Sequence, residues 1–515
     1  MAENTPARTI AAGYDTEGAA LELGTVLVDG TPDPEAKVRI PLAMLNRHGL
    51  VAGATGTGKT KTLQALAGQL SDNGVPVLLA DVKGDLSGLA RAGESNAKLE
   101  QRAADTGDDW TPTAYPTQFL SLGDGGIAVP VRATLTQFGP ILLSKVLGLN
   151  ATQESTLGLI FHWADQRQLP LLDTKDLRAV IQHLTSDEGK ADLKGIGGVS
   201  SATAGVILRA LVNLEAQGGD TFFGEPEFDP ADLMTVVDGK GTVTLLELAE
   251  RAANPTLFST FLMWLLAELY EELPEAGDLD RPKLVFFFDE AHLLFADASK
   301  AFLERIEQTV KLIRSKGVGV FFCTQLPTDI PNEVLSQLGA RVQHALRAFT
   351  PDDQKALNRT VKTYPKSDVY DLESALTSLG TGEAIVTVLS ETGAPTPVAW
   401  TRLRAPRSMM AAIGDDAVRE EARKSPLQAK YGEMVDRDSA YERLTGRMTE
   451  AAGEEPAAPG QPAPEQAPPP APQQEDEGGF ISKVGAFLQS PTGRQLTNTV
   501  TREVTRSLFG TRRRR

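Results

Sequence analysis

Short runs of β-branched and apolar residues alternate with segments of helical spacing through about the first 450 residues. This alternation is typical of α/β proteins with a mainly parallel sheet, because parallel neighbours need a crossover helix between them. We therefore predict an α/β fold built on a central sheet. The strands expected in that sheet are His48 to Val51, Val75 to Asp81, Thr242 to Leu248, Leu284 to Asp289, Val318 to Thr324 and Ala384 to Leu389.

The pattern changes along the chain and divides it into segments. Between the second and third predicted strands, apolar residues such as Leu157, Ile160 and Trp163 recur at helical spacing, which predicts an insertion. A weak strand pattern from Ala20 to Val28 and from Lys37 to Ile40 predicts a small β cap ahead of the sheet. The predicted domains are a small N-terminal β region (1–45), the core (46–100 and 235–450), a mostly helical insertion (101–234), a Pro/Glu-rich linker (451–479) and a basic amphipathic tail (480–515).

The last 62 residues differ in composition from the rest. Eight prolines lie between Pro456 and Pro472, which predicts a disordered or polyproline-like linker. Residues 481–515 carry eight Lys or Arg against Glu503, a net charge of +7. Their apolar residues recur at helical spacing, so this tail is either an amphipathic helix that docks on a partner, an anionic surface or DNA, or a solvated tail.

Overall composition limits the class of protein. The 51 Lys and Arg against 68 Asp and Glu give a formal charge of −17, which argues against coating nucleic acid with the outer surface but permits a local basic groove or pore. Cys323 is the one cysteine, so no intramolecular disulfide forms and a reducing cytoplasm is expected. The first residues do not resemble a signal peptide, and no apolar stretch reaches the ~20 residues of a membrane span.

The strongest motif is Gly-Ala-Thr-Gly-Thr-Gly-Lys-Thr at residues 53–60, which matches the phosphate-binding loop pattern in full. Its glycines let backbone N–H groups surround an anion, and the following helix adds its N-terminal dipole. Lys59 is expected to reach the β and γ phosphates of ATP, and the Thr60 hydroxyl to bind Mg²⁺. The residues predicted to bind the nucleotide are Gly53, Ala54, Thr55, Gly56, Thr57, Gly58, Lys59, Thr60 and Lys61.

A second motif is the apolar strand that ends in Asp289 and Glu290. A buried strand has no need of carboxylates at its tip, whereas a nucleotide site needs one at the carboxyl edge of the sheet. We predict that Asp289 holds Mg²⁺ and that Glu290 is the general base for the attacking water. An acid in this position favours ATP hydrolysis over transfer to a small molecule.

Two further strand ends carry polar groups. Gln325 follows the strand that starts at Val318 and is predicted to lie between the two motifs, where it would orient the attacking water or sense the γ-phosphate. Asp81 either contributes to the Mg²⁺ shell or caps the turn at Gly84. The sequence leaves these two roles of Asp81 open.

The motifs GATGTGKT, LLADVKGD and VFFFDEAH, followed by IRSKGVGVFFCTQLPTDIP and LSQLGARVQHALRAFTPDDQKAL, resemble the HerA/FtsK superfamily of ring-forming motor ATPases, and within it the bacterial HerA-like helicases. The resemblance spans most of residues 20–445. It implies a RecA-like P-loop NTPase fold of the additional-strand, catalytic-glutamate class. It also implies a homohexamer with ATP between subunits and double-stranded DNA in the central channel.

The resemblance further implies an arginine supplied in trans to the γ-phosphate. Arg314 fits best, and Arg341 and Arg347 are weaker candidates. Arg47 and His48 also resemble positions near the nucleotide in this superfamily. Two other functions stay open, namely a ring ATPase that moves or remodels protein and a scaffold whose assembly is gated by ATP.

Overall fold

The computed structural model describes residues 5–193, 197–247, 255–277, 279–296 and 298–453. The strands of this part of the chain are β1 (Ala20–Val28), β2 (Thr31–Pro41), β3 (Gly49–Ala52), β4 (Val77–Asp81), β5 (Thr117–Leu122), β6 (Val129–Val131), β7 (Val236–Val237), β8 (Lys240–Gly241), β9 (Val243–Glu247), β10 (Leu284–Phe288), β11 (Val318–Thr324), β12 (Ala340–Gln343), β13 (Glu383–Thr387) and β14 (Ala399–Leu403).

The helices cover both faces of the sheet and fill the segment between β6 and β7. They are α1 (Pro6–Ala11), α2 (Lys59–Asp72), α3 (Ala97–Thr106), α4 (Leu135–Val146), α5 (Ala151–Gln166), α6 (Thr174–Thr185), α7 (Asp187–Asp192), α8 (Ser201–Ala216), α9 (Gly219–Phe222), α10 (Pro255–Glu272), α11 (His292–Phe295), α12 (Lys300–Ile313), α13 (Asn332–Leu335), α14 (Pro351–Val361), α15 (Leu372–Ser378), α16 (Asp415–Lys424), α17 (Pro426–Tyr431) and α18 (Ala440–Gly453).

Twelve strands form one mixed sheet in the order β2-β1-β14-β13-β12-β3-β11-β10-β4-β9-β5-β6. The pairs from β12 to β6 are all parallel, and those from β2 to β12 are antiparallel. Within the parallel part, β11 is inserted between the strand that enters the phosphate loop and the strand that ends at Asp289. The predicted α/β fold of the additional-strand P-loop class is confirmed.

Burial on both faces explains why the central strands read as continuous apolar runs. In β10, the side chains of Leu284, Phe286 and Phe288 belong to one apolar core, and those of Val285 and Phe287 to the other. The same alternation holds in β11. The first core lies under the helices between β6 and β11, and the second lies under α2 and the N-terminal strands.

The structure differs from the sequence interpretation in where two predicted segments lie. The N-terminal strands β1 and β2 extend the central sheet through β14 instead of forming a separate cap. Strands β5 and β6, inside the predicted insertion, complete the opposite side of that sheet. Both differences arise because pairing partners distant in sequence satisfy edges that the local pattern cannot reveal.

Most predicted strand ends lie within two residues of the observed bounds, but β2 begins six residues before the predicted Lys37. Leu248, the predicted end of β9, lies outside the described residues. The helix α18 runs to Gly453, past the predicted start of the linker. The remainder of the predicted linker and the whole predicted tail fall at residues 454–515, outside the described part of the chain. Among the helices that are described, none has the length and apolar character required to cross a bilayer.

The join between β1 and β14 depends on Gly24. This residue sits at a register shift in the β1–β2 pairing and has a φ of 154°. A Cβ atom added here would lie 1.9 Å from the carbonyl oxygen of Arg402 in β14. The backbones therefore approach more closely than any side chain permits.

We expect Gly24→Ala to lower the stability of the protein by about 1–3 kcal/mol, because the added methyl group must push the two strands apart. The matched control is Gly158→Ala in α5, where an added Cβ meets nothing within 4 Å. That change should be neutral or raise stability by up to about 1 kcal/mol through helix propensity. Thermal unfolding of the two variants tests this, and equal melting temperatures would contradict the proposed close approach.

Candidate functional site

The loop between β3 and α2 has the backbone of an anion cradle. Gly53, Gly56 and Gly58 adopt φ values of 149°, 81° and 115°. Because these conformations favour glycine, the motif spacing predicts the loop shape directly. At the first turn of α2, the N–H groups have no partner within the helix and point out of its N-terminus.

Neighbouring strand ends hold this loop in place. The Ala54 N–H donates to the Ala345 carbonyl oxygen at 2.8 Å, and the Gly382 N–H donates to the Thr57 carbonyl oxygen at 3.1 Å. His344, fully buried at the tip of β12, lies directly below Gly53, where an added Cβ would be 2.5 Å from the His344 Cβ. The backbone at Gly53 therefore packs so closely against His344 that a side chain at position 53 would clash with it.

His344 also contacts the start of α2. Its Nε2 lies 3.0 Å from the hydroxyl oxygen of Thr62. Burial, with a further contribution from the nearby Lys59 charge, lowers the pKa of His344 to about 4. The ring is thus neutral at physiological pH and adds no positive charge below the loop.

Lys59 and Lys61 have different surroundings. The Lys59 ammonium folds back over the loop and donates to the carbonyl oxygens of Gly53 at 2.7 Å and Ala54 at 3.3 Å. Lys61 instead donates to Gln64 at 3.0 Å and to the Met410 carbonyl oxygen. The side chain of Lys59 therefore stands at the loop, whereas the ammonium group of Lys61 is engaged elsewhere and only its backbone N–H faces the helix start.

Asp289 and Glu290 follow β10 at the same edge of the sheet. Burial, and then repulsion from Glu290, raise the pKa of Asp289. The Glu290 N–H donates to the Asp289 carboxylate at 2.9 Å, and Glu290 has a φ of 48°, which is unusual for a residue other than glycine. Such backbone strain is concentrated at functional sites.

The Glu290 carboxylate has two basic neighbours. Its Oε1 accepts a hydrogen bond from the Lys83 ammonium at 2.9 Å, and its Oε2 lies 3.4 Å from Nδ1 of His292. Lys83 is 53% exposed on its side chain and Glu290 only 15%. The ion pair is therefore open to water on the lysine side.

The end of β11 lies between the two motifs, as the sequence analysis expected. Thr324 is in register with Ala52 of β3, and Phe322 with Phe288 of β10, so Gln325 emerges beside the phosphate loop and Asp289. Gln325 is exposed. The turn after it is fixed by Asp329, whose carboxylate accepts from the Thr324 hydroxyl at 2.7 Å and the Leu326 N–H at 3.0 Å.

Cys323 and Asp81 are buried neighbours of the site. The Cys323 thiol is hydrogen-bonded to the Asp289 carboxylate, and burial raises the pKa of the thiol. Asp81 accepts backbone N–H groups from Asp85 at 3.2 Å and Leu86 at 2.9 Å. Of the two roles left open for Asp81, these contacts support capping of the turn.

Arg314 lies at the opposite edge of the sheet from the phosphate loop. It ends α12 and comes just before β11, whose seven residues separate the two edges by roughly 20 Å. A cavity of about 630 Å³ at this edge is lined by Arg47, Lys311, Arg314 and Arg341, among others. Arg314 therefore cannot reach the nucleotide bound to its own chain.

Arg347 and His48 lie at opposite edges of the sheet. Arg347 donates to the Thr55 carbonyl oxygen at 3.3 Å and so lies against its own phosphate loop. His48 does not lie at the loop. It directly precedes β3 at the far edge, where its Nε2 donates to the Val310 carbonyl oxygen at 2.7 Å and its Nδ1 accepts from the Val320 N–H at 3.1 Å. Burial lowers the pKa of His48 to about 4.

The residues at the carboxyl edge suit Mg²⁺ with a nucleotide. Thr60 lies in the first turn of α2 beside the loop, and Asp289 directly follows β10 at the same edge of the sheet. Hydroxyl and carboxylate oxygens are the donors that Mg²⁺ prefers, with phosphate and water completing its shell. A divalent cation here would also relieve the repulsion between the Asp289 and Glu290 carboxylates.

Lys83 and His344 are two residues beside the site that the sequence pattern does not reveal. Lys83 lies in the quoted segment LLADVKGD and His344 in the segment ending in AFTPDDQKAL, but neither has a spacing that indicates its contact. Lys83 meets Glu290 only because β4 pairs with β10, and His344 meets the loop only because β12 pairs with β3. Both contacts therefore depend on strand pairing in the tertiary structure and cannot be predicted from the local sequence.

The sequence matches a known protein family and is similar to a known helicase. The profile of the family described as "Helicase HerA-like C-terminal" matches residues 27–515. The DNA double-strand break repair helicase HerA of Sulfurisphaera tokodaii is 22% identical over 381 residues, covering 71% of this chain and 68% of that protein.

Among solved structures, the unbound bacterial conjugative coupling protein TrwBdeltaN70 superposes with a TM-score of 0.51 at 15% identity, covering 78% of this chain and 94% of that one. The plasmid coupling protein TrwB with a non-hydrolysable ATP analogue gives a TM-score of 0.50 at 16% identity, with the same coverage. These structures share the fold. Because the family profile spans nearly the whole sequence, the chain belongs to the HerA-like C-terminal helicase family of P-loop ATPases.

Proposed function

We propose that this protein hydrolyses ATP as a ring-shaped motor, most simply a homohexamer, that translocates double-stranded DNA. One observation supports the proposal most strongly. The adjacent strands β3, β11 and β10 end at one edge of the sheet, and this brings together the phosphate loop, Gln325 and the Asp289–Glu290 pair. The proposed setting is the cytoplasm, where the single buried Cys323 stays reduced.

In this mechanism the loop N–H groups and Lys59 bind the β and γ phosphates. Bound Mg²⁺, with Thr60 and Asp289 as protein donors, supplies neutralisation of the phosphate charge. Glu290 accepts a proton from the attacking water, and Gln325 orients that water. Glu290 must first exchange its Lys83 partner for water, and the exposed lysine side of the ion pair gives water access for that exchange.

The position of Arg314 supports the proposed ring. If Arg314 is the arginine that the reaction needs, each chain carries an incomplete site, since this residue is on the edge opposite its own loop. If that edge meets the loop edge of the next copy, Arg314 completes the neighbour's site, with Arg47 and Arg341 beside it. Such a head-to-tail contact produces a closed ring when its rotation closes.

Double-stranded DNA as cargo is supported by family membership and by the HerA relative. The outer surface is a poor candidate for the contact, because the chain outside residues 481–515 has a charge of −24. We therefore propose that DNA is gripped inside the ring.

We expect Glu290→Gln to lower ATP turnover by about 100-fold or more, because the amide cannot accept the proton. ATP binding should persist in this variant and be lost in Lys59→Ala, which removes the charge at the phosphates. Turnover assays with isothermal titration calorimetry separate the two effects. The control is Glu304→Gln, an exposed residue of α12 that pairs with Lys300. Normal turnover by Glu290→Gln would reject its role as the base.

Mixing subunits tests the position of Arg314. Arg314→Ala and Glu290→Gln proteins should each be inactive, whereas their mixture should recover part of the activity, because some interfaces then combine an intact glutamate with an intact arginine. A mixture of Arg314→Ala with the double variant contains no such interface and should stay inactive. Failure of the first mixture to recover, with rings confirmed by sedimentation, would count against action in trans.

Double-stranded DNA should stimulate turnover by the wild-type protein several-fold at low salt. The stimulation should fall as salt rises, because contacts to phosphate release counterions. Glu290→Gln serves as the background control. A protein that hydrolyses ATP but neither binds nor responds to DNA at low salt would have a different cargo, and a protein partner would then be favoured.

A further inference from the structure

The strand order, with the proposed roles of Gln325, Asp289 and Glu290, sets the direction in which ATP would lie across the loop. The γ-phosphate faces β11 and β10, because Gln325, Asp289 and Glu290 are on that side of β3. The nucleoside end must therefore extend toward the other neighbour of β3, which is β12. The segment that follows β12, residues 344–350, stands at this position and has no role in the chemistry described above.

This segment is held firmly against the phosphate loop. The Ala54 N–H donates to the Ala345 carbonyl oxygen, and the Leu346 N–H donates to the Leu376 carbonyl oxygen, both at 2.8 Å. At its far end, the Asp353 carboxylate accepts the N–H of Phe349 at 3.2 Å and that of Thr350 at 2.9 Å. Its backbone is thus fixed before any ligand binds.

Alternate side chains of this segment point to solvent. Leu346 is buried, Arg347 is exposed, Ala348 is intermediate and Phe349 is exposed. Within residues 346–349, Arg347 and Phe349 are therefore the two exposed side chains. Because the Arg347 guanidinium reaches the Thr55 carbonyl oxygen at 3.3 Å, this exposed part of the segment lies next to the loop tip.

Phe349 is 84% exposed, and no other large apolar side chain among the described residues exceeds 53%. A single exposed apolar residue is ordinary on a protein surface. The Phe349 ring, however, is held on fixed backbone beside the phosphate loop, on the side where the nucleoside must lie. It is therefore placed to contact the base of a bound nucleotide. Aromatic rings stack on nucleobases, whose flat faces they shield from water.

We infer that Phe349 stacks on the base of the bound nucleotide, which makes residues 345–349 the base subsite of this ATPase. The inference rests on the proposed function, because it needs the phosphates in the loop. Stacking uses the face of the base and not its edge. ATP and GTP should therefore bind alike, and CTP, with its smaller ring, should bind more weakly.

The test compares ligands with and without a base. Phe349→Ala should weaken ATP binding about tenfold, in line with the effect of removing a stacking partner, and leave inorganic tripolyphosphate binding unchanged. It should also reduce the preference for ATP over CTP. Phe349→Trp should retain the affinity for ATP. Isothermal titration calorimetry on the full-length protein gives all of these values.

Controls separate this inference from the proposed function. Tyr441→Ala, which removes an aromatic ring that is 43% exposed on α18, should change nothing. Unchanged ATP affinity in Phe349→Ala, or equal weakening for ATP and tripolyphosphate, would overturn the base subsite. A change in sedimentation without a change in ATP affinity would likewise overturn it and make Phe349 a subunit contact. If Lys59→Ala also binds ATP normally, the proposed function itself fails.

Discussion

The parallel pairing of β3, β11 and β10 is the constraint on which the site depends. Parallel strands in register end at the same edge, so the residues that follow Ala52, Thr324 and Phe288 are brought together without any direct attraction between them. Both faces of these strands are buried, which makes a slip of one residue costly and keeps the edge aligned. Two carboxylates and a phosphate cradle can therefore share a small volume.

The same strands have a second edge with a different chemistry. There, His48 connects the start of β3 to α12 through Val310 and to β11 through Val320, with the imidazole neutral. Arg314 stands on the same helix end. The edge with the phosphate loop and the edge with Arg314 are thus joined by one rigid layer, as the proposed head-to-tail ring requires.

Local motifs predicted the centre of the site well. The glycine spacing of residues 53–58 requires left-handed backbone, so the loop shape is encoded where it is used. Asp289 and Glu290 were found because carboxylates are unexpected after an apolar strand. Lys83, His344 and Phe349 carry no such signal, because each obtains its neighbours from strands that are paired in space and distant in the chain.

The sequence by itself determined the fold class, the phosphate loop and the order of the acid- and Gln-tipped strands, because those depend on periodicity and on residues close in the chain. Only the tertiary structure decided that β1 and β2 extend the main sheet, that Asp81 caps a turn, and that Glu290 is paired with Lys83. It also put Arg314 and Arg347 on opposite edges. These outcomes depend on which strands pair, and pairing is set by burial over the whole sheet, which no local segment contains.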